Sequence, residues 1–507
     1  MSKKLLLNSL TGTTLYVANV VVAFIMSPVY IHALGNRDYG LWELVLSVVG
    51  YMGLLDLGIG GSLVRFVSIA DGRQDKKDLQ QTMSTACAFF VPVGVVAFLL
   101  FSMLSYSPGL IAGQEIRDIA NLETVFLLLG INAAMLFPLQ VFTATLSGMQ
   151  RHYFLNSVRI VLLITRAGVS YYLLLRYPGK GLLVMALLQP CYTAVQVLLF
   201  VGAVILDRDI PNVALSAVSR KKAREMMLFS LKSAAMMVAS RLQNQSVPLI
   251  IGHVIGLGHI VYFVMPNRLI DYAKGFSRAI GFPLVPYFGA TIGKGNVEVL
   301  KNSWLNTTLA LQIVSLGMPI VIFFCGETFL ELWIGPEYSA AGRLVLYLLL
   351  VGLVADSFAT NAFSILTAQG KHGKPALMWL VFSVLSVPLG VGGGYLWGVV
   401  GVAAGTSITT VLGNIFTVVM ACAVMRIPLW TYFRMTLIRI FPALLLLGLS
   451  LWIFKMLFIE KSYMNILIQI GVSGAIYLLA IWKFSLDENV RNSVLQRFQQ
   501  IFFKGKI

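Results

Sequence analysis

Apolar residues fill this chain in stretches of about twenty or more, the length a helix needs to cross the hydrocarbon core of a bilayer. With Gly, Pro and charge as punctuation, the pattern predicts fourteen spans: 9–33, 40–63, 80–104, 120–146, 154–175, 181–206, 228–254, 259–288, 302–325, 341–367, 374–393, 397–424, 435–457 and 463–482. The seventh and eighth are the least apolar. Hydrophobic residues make up 58% of the 507 and charged residues only 12%, a balance that excludes a water-soluble domain. The expected fold class is an all-α polytopic membrane protein.

The net charge of +17 changes the picture through its distribution. Counted from an N-terminus in the cytoplasm, the even loops and both tails hold twenty-four Lys and Arg, among them the cluster Arg220, Lys221, Lys222 and Arg224, against seven in the odd loops. That positive-inside bias places both termini in the cytoplasm and removes the case for a nucleic-acid partner. Lys3 and Lys4 precede an apolar run that continues to about Leu34, too long for a cleavable signal. Cys87, Cys191, Cys325 and Cys422 fall inside spans without CxxC spacing and are expected to pack as small apolar residues.

The chain also repeats itself at an offset near 220 residues. Ser9 maps to Ser230, Pro28 to Pro248, Leu34-Gly35 to Ile255-Gly256, Leu146-Ser147 with Arg151-His152 to Leu366-Thr367 with Lys371-His372, and Gly181 to Gly401. The expected organisation is a six-helix lobe at 1–206, a basic cytoplasmic linker at 207–227, a second six-helix lobe at 228–425, two added helices at 426–484, and a basic amphipathic tail at 485–507. Ser485 and Glu488 form a capping box in that tail. Val490, Val494, Leu495, Phe498, Ile501 and Phe502 then share one face, as in an interfacial helix, a solvated tail being the alternative. Parallel six-helix repeats are a transporter layout in which two lobes rock about their linker and the substrate path runs between them.

No HExxH, GxSxG or P-loop sequence occurs, so an enzyme is not expected, and nothing calls for a metal or cofactor. A membrane glycosyltransferase or ligase is the remote alternative, but the outer-loop acids Glu115, Glu327, Glu331 and Glu337 are not ordered into a pair. Charges inside the spans carry more. Span two holds Asp56, with Arg65 at its inner end; span five holds Arg159 and Arg166, seven apart on one face; span ten holds Asp356 and Asn361. Span seven is polar over half its length, with Arg241 ~20 Å from the inner end followed closely by Gln243, Asn244, Gln245 and Ser246. Span eight carries Arg268, Asp271, Lys274 and Arg278 as one helical stripe. Buried ionisable groups in a membrane are costly and face a cavity or a partner. Arg241, Arg268, Lys274, Arg278, Arg166 and Arg65 are therefore the candidate cationic cavity, suited to phosphate oxygens, and Asp56, Asp271 and Asp356 the candidate coupling groups or charge partners. The alternatives remain open: snorkelling for Arg65, Arg159 and Arg278, an interhelical hydrogen bond for Arg241, neutralisation of Arg268 or Lys274 for Asp271.

Asn8, Pro28, the stretch Leu34-Gly35-Asn36-Arg37-Asp38-Tyr39-Gly40-Leu41-Trp42, Leu55-Asp56-Leu57-Gly58-Ile59-Gly60 and Arg65-Phe66 resemble the opening of the polysaccharide-biosynthesis flippases, the O-antigen and exopolysaccharide exporters of the multidrug/oligosaccharidyl-lipid/polysaccharide (MOP) superfamily. Leu146-Ser147-Gly148 with Gln150-Arg151 resembles that family's fourth loop. The resemblance implies a two-lobed, fourteen-helix flippase in the bacterial inner membrane. It would carry an undecaprenyl-pyrophosphate-linked oligosaccharide by alternating access, as a monomer, with membrane lipid and a polysaccharide polymerase as partners. A lipid II flippase and a multidrug antiporter of the same superfamily are the alternatives; the excess of Arg over Asp within the spans disfavours cationic drugs.

Overall fold

The computed structural model describes residues 3–107, 109, 121–281, 283–458, 460–486 and 491. Glu115 and the expected tail face from Val490 to Phe502 lie outside them. Helices account for nearly all of the described residues, and there is no strand among them. Ten helices are long and apolar enough to cross a membrane. Two of these are pairs merged across a break, Lys3–Met52 at Gly35 and Gly373–Met425 at Trp397–Gly398. The more polar helices Arg220–Val254 and Ile260–Gly281 complete fourteen. The chain is an all-α multi-pass membrane protein.

In chain order the spans are α1 (3–34), α2 (36–52, resumed at Ile59–Gly72), α3 (Lys76–Tyr106), α4 (Leu122–Gly148), α5 (His152–Arg176), α6 (Gly181–Ile205) and α7 (Arg220–Val254). There follow α8 (Ile260–Gly281), α9 (Val297–Trp333), α10 (Pro336–Ala368), α11 (373–396), α12 (399–425), α13 (Leu429–Leu457) and α14 (Tyr463–Ser485). Side-chain caps start several of them. Asp75 accepts from the Asp78 amide at 2.9 Å, Asn296 from Val299 at 3.1 Å, Ser219 from Lys222 at 3.3 Å and Ser462 from Asn465 at 3.2 Å. The Ser219 cap starts α7 eight residues earlier than hydropathy predicts. Span eight is shorter than predicted: it ends at Gly281, and a separate short helix, Leu284–Gly293, follows Pro283.

The repeat is written in the backbone. Positive φ recurs at Gly35 and Gly256, Gln74 and Gly295, Gln150 and Gly370, Gly179 and Gly398. The offsets run from 219 to 221, so each half turns its chain at equivalent joints.

Two compact units divide the chain: Met1–Val261 with Val387–Val402, and Tyr262–Ser386 with Ala403–Ile507. Helix α7, placed by the repeat in the second half of the sequence, packs in the first unit. Its Ile250 and Val254 side chains lie where Cβ atoms on Gly390 and Gly394 of α11 would come within 3.1 and 3.2 Å.

The linker carries a series of hydrogen bonds to α3. Lys76 donates to the Arg208 carbonyl (3.3 Å) and Gln80 to the Asn212 carbonyl (2.9 Å). Ser84 and Thr85 accept from the amides of Ala214 and Ser219, both at 3.1 Å, while Ile210 is buried and Lys222 pairs with Asp78 at 2.5 Å. Residues 207–222 are thus fastened along the N-terminal third of α3, because an extended segment must place its backbone polar groups somewhere. Asp207 anchors one end by an ion pair with Arg151. Burial pushes its carboxyl upward, but the Asp209 amide, the Arg151 hydrogen bond and charge, and the Lys76 charge outweigh this and hold it below the usual carboxylate range. A depressed folded value stabilises above the ordinary pKa of ~3.9 and is lost as pH falls through the folded value. Asp207→Asn is expected to cost about 1–2 kcal/mol at pH 7. Thermal unfolding followed by intrinsic tryptophan fluorescence should show a gap from wild type at pH 7 that narrows toward pH 3.

In the second unit, α13 and α14 dock on α9. Tyr477 donates to the Ile313 carbonyl at 2.6 Å, with Gly317 leaving room for its ring, and Lys461 pairs with Glu331 at 2.7 Å. Cys325 and Cys422 are buried as expected, whereas Cys191 is exposed.

Candidate functional site

The LDLGxG stretch is where α2 breaks. Gly53–Asp56 forms a 3-10 turn, Leu57 (φ 50°) and Gly58 (φ 78°) are left-handed, and the helix restarts at Ile59. Only a residue without a Cβ enters that region at no steric cost, and Gly58 also passes close to the Ser230 carbonyl of α7. The break frees amides at the new helix start, and the Asp56 carboxylate accepts from the Gly60 N–H at 2.8 Å. Arg241 of α7 lies against the same turn: a Cβ on Gly53 would stand 2.9 Å from its Nη2. One turn along each helix, a Cβ on Gly50 would meet the Gln245 amide, and Tyr51 shares a hydrogen bond with Ser246 at 2.5 Å. Gln245 and Ser246 therefore join α7 to α2, and Asn244 bonds back to Ser240 at 2.8 Å. Part of the polar run in span seven is interhelical glue. The Arg241 charge acts on Asp56, with no direct ion pair between them among the described residues.

The LGxxxYGxW stretch has a comparable reason. Tyr39 and Leu41 are fully buried and Trp42 nearly so, Tyr39 donates to Glu43 at 2.6 Å, and a Cβ on Gly40 would collide with the Leu257 carbonyl. The joint at Gly35 is thereby packed against its repeat equivalent at Gly256–Leu257.

On α8, Asp271 accepts from Asn267 at 3.0 Å and lies in the field of Lys274, Arg278 and Arg268. One carboxylate against three cations leaves the stripe with an excess positive charge. Arg65 is exposed, its guanidinium 4.3 Å above the Phe229 ring, a cation–π contact beside α7. Arg166 donates to Gln189 of α6 at 3.2 Å and shares a cavity with Arg159.

The two polar groups of α10 differ. Asp356 is half-buried. Asn361 is fully buried and donates to the Trp304 carbonyl (3.3 Å), Thr307 (3.0 Å) and Thr308 (2.8 Å), so it ties α10 to α9 instead of facing a cavity. Within each unit, then, Arg241 is brought to Asp56, Arg166 to Arg159, and Asp271 to its three cations, while Arg65 stands apart on its aromatic ring. Gln189, Tyr192 and Gln196, the neighbours of Arg166 on α6, were not legible in the sequence; the only signal was a polar i, i+7 spacing within an apolar helix.

The model of the family described as polysaccharide biosynthesis protein matches residues 5–292, and one named MatE matches residues 267–391. A protein named as an O-antigen transporter in Shigella flexneri is 21% identical over 68% of this chain and 80% of its own length. The uncharacterized membrane protein EpsK of Bacillus subtilis strain 168 is 22% identical over 82% of each. Among solved structures, the inward closed conformation of the lipid II flippase MurJ superposes with a TM-score of 0.74 at 13% identity, over 94% of this chain and 98% of that one. An inward-facing multidrug resistance MATE transporter of the MOP superfamily gives 0.64 at 16% identity, over 82% and 94%.

Proposed function

The chain belongs to the polysaccharide biosynthesis protein family of the MOP flippases, and on that premise we propose that its cargo is an undecaprenyl-pyrophosphate-linked oligosaccharide, moved from the inner to the outer leaflet of the bacterial inner membrane by alternating access. The observation that carries this reading is the excess of cations over carboxylates on a polar helix of each unit: Arg241 on α7, acting on Asp56, in the first, and Arg268, Lys274 and Arg278 around the single Asp271 on α8 in the second. A diphosphate offers these side chains oxygens for charge-assisted hydrogen bonds, which Arg makes in bidentate fashion. The polyprenyl chain is as apolar as the bilayer and has no need to leave it, so the protein's work is confined to the headgroup. A cationic drug would meet repulsion at the same residues, which disfavours the antiporter reading. Lipid II carries the same diphosphate, and the whole-chain likeness to MurJ keeps it as the second reading.

The test is flipping by purified protein in vesicles of a fluorescent polyprenyl-diphosphate oligosaccharide, read as loss of accessibility to an impermeant quencher, with a lipid II arm and a neutral polyprenyl-glycoside arm. Transport of the diphosphate oligosaccharide above that of both other arms is expected. Equal transport of the neutral compound removes the role of the cations, and preference for lipid II selects the second reading. Orientation is tested alongside: a reporter fused after Lys222 should lie in the cytoplasm and one inserted at Gly179 outside.

A further inference from the structure

A cavity of about 270 Å³ lies wholly within the first unit, among α1, α5 and α6. Its polar lining is Asn19, Arg159, Arg166, Tyr192 and Gln196, with Leu15, Leu162 and Leu163 beside them, and it is open on one side. Arg166 is fourteen residues into α5, ~21 Å from its inner end, too deep to reach the interface. One of its five donors is used, on Gln189. Arg159 sits two turns earlier on the same face. Among the described residues neither arginine has an ion-pair partner, and no carboxylate lines the cavity. Arg166 at that depth calls for something to supply a compensating charge, while Arg159, half as far from the helix start, is exposed beside it. No carboxylate among the described residues lines the cavity to supply it, which leaves that part to a ligand.

We infer that this cavity is a saccharide subsite taking one sugar ring that carries an oxyanion, with Arg159 and Arg166 on the carboxylate or phosphate and Asn19, Tyr192 and Gln196 on the ring and its hydroxyls. Tyr192 and Gln196 are one turn apart on α6 and offer an aromatic face and an amide. Asn19 already donates to the Leu15 carbonyl at 2.8 Å, which leaves its Oδ1 as acceptor for a hydroxyl. The volume falls just below the ~300–1,000 Å³ usual for small-molecule sites, which suits a single ring, and the open side lets the rest of a glycan extend from it. The inference rests on the cargo being a glycan, and it adds that the glycan, or the sugar next to the carrier's diphosphate, is acidic.

Binding to purified protein, measured by calorimetry with glucuronate, glucose 1-phosphate, glucose and inorganic diphosphate, tests this independently of flipping. Both anionic sugars should bind and glucose should not. Tighter glucuronate assigns the site to an acidic sugar, tighter glucose 1-phosphate to the sugar-phosphate junction. Arg159→Gln with Arg166→Gln should weaken binding about tenfold or more, while the Arg→Lys pair, which keeps the charge if the Gln pair misfolds, should retain part of it. Glucose binding as well as the anionic sugars, inorganic diphosphate binding as tightly as either, or unchanged affinity in a folded Gln pair overturns the inference. Sugar binding with no flipping in the vesicle assay rejects the proposed transport and leaves the subsite standing; flipping without sugar binding does the reverse.

Discussion

Arg241→Ala and Arg268→Ala should each reduce export of surface polysaccharide by about 30-fold or more in a host lacking its own flippase, while the amount of protein in the membrane stays normal. Losing a desolvated charged contact to a phosphate costs about 2–4 kcal/mol, and ~1.4 kcal/mol is a factor of ten. Folding should survive for reasons specific to each site. Asp56, which would lose the field of Arg241, keeps the Gly60 amide at 2.8 Å, and Asp271 keeps Asn267, Lys274 and Arg278 after Arg268 is gone. Complementation scored with a quantitative blot of the membrane fraction separates the outcomes. Normal export by both variants at normal abundance would return both arginines to helix packing.

Gly393→Ala should fail to accumulate, and its neighbour Gly392→Ala should be indistinguishable from wild type. The two substitutions differ by one position and share the same helix. A Cβ on Gly393 would lie 2.7 Å from the Gly401 carbonyl carbon, and a Cβ on Gly401 would strike Gly393 in return, whereas Gly392 has nothing within 4 Å. The contact is backbone on backbone, at the place where α11 and α12 meet beside the Gly398 joint. No side chain can rotate away, so the cost should exceed the ~1–3 kcal/mol usual for overpacking. Small residues that let helices approach closely supply much of the association energy in a membrane, where no hydrophobic force draws helices together. The measurement is steady-state abundance and detergent-extracted melting temperature, with Gly401→Ala expected to match Gly393→Ala.

Much of this architecture was legible in the chain because bilayer thickness and alternating loop charge constrain sequence strongly. Fourteen spans follow from those two rules, and the offset near 220 from glycines that must turn the chain. Arg241 was conspicuous because depth alone makes a charge expensive, but its seat on Gly53 was not. The LDLGxG stretch reads as an apolar helix with one acid, and only the left-handed pair Leu57 and Gly58 reveals a break that Asp56 caps. Asn361, noted only as a polar group inside span ten, is a clasp between α9 and α10, since polarity marks a group that needs a partner and is silent on whether that partner is protein or cargo. The attachment of the linker to α3 was hidden for a related reason. Its partners Ser84 and Thr85 lie about 130 positions away, and no local pattern announces a hydrogen bond to a distant amide.

The membership of α7 in the first unit bears on how this protein is made. A ribosome releases helices in order, and the first six leave the translocon before their remaining packing partner has been synthesised. The face of α2 around Gly50 and Gly53 stays open until Gln245 and Arg241 emerge, and the Ile250 and Val254 surface of α7 waits until Gly390 and Gly394 have been translated. An ancestral duplication of a six-helix protein therefore did not yield two self-sufficient halves strung together. The second half of the chain completes the first unit with α7 and residues 387–402, so a nascent chain stalled before residue 400 presents the quality-control machinery with an unfinished first unit.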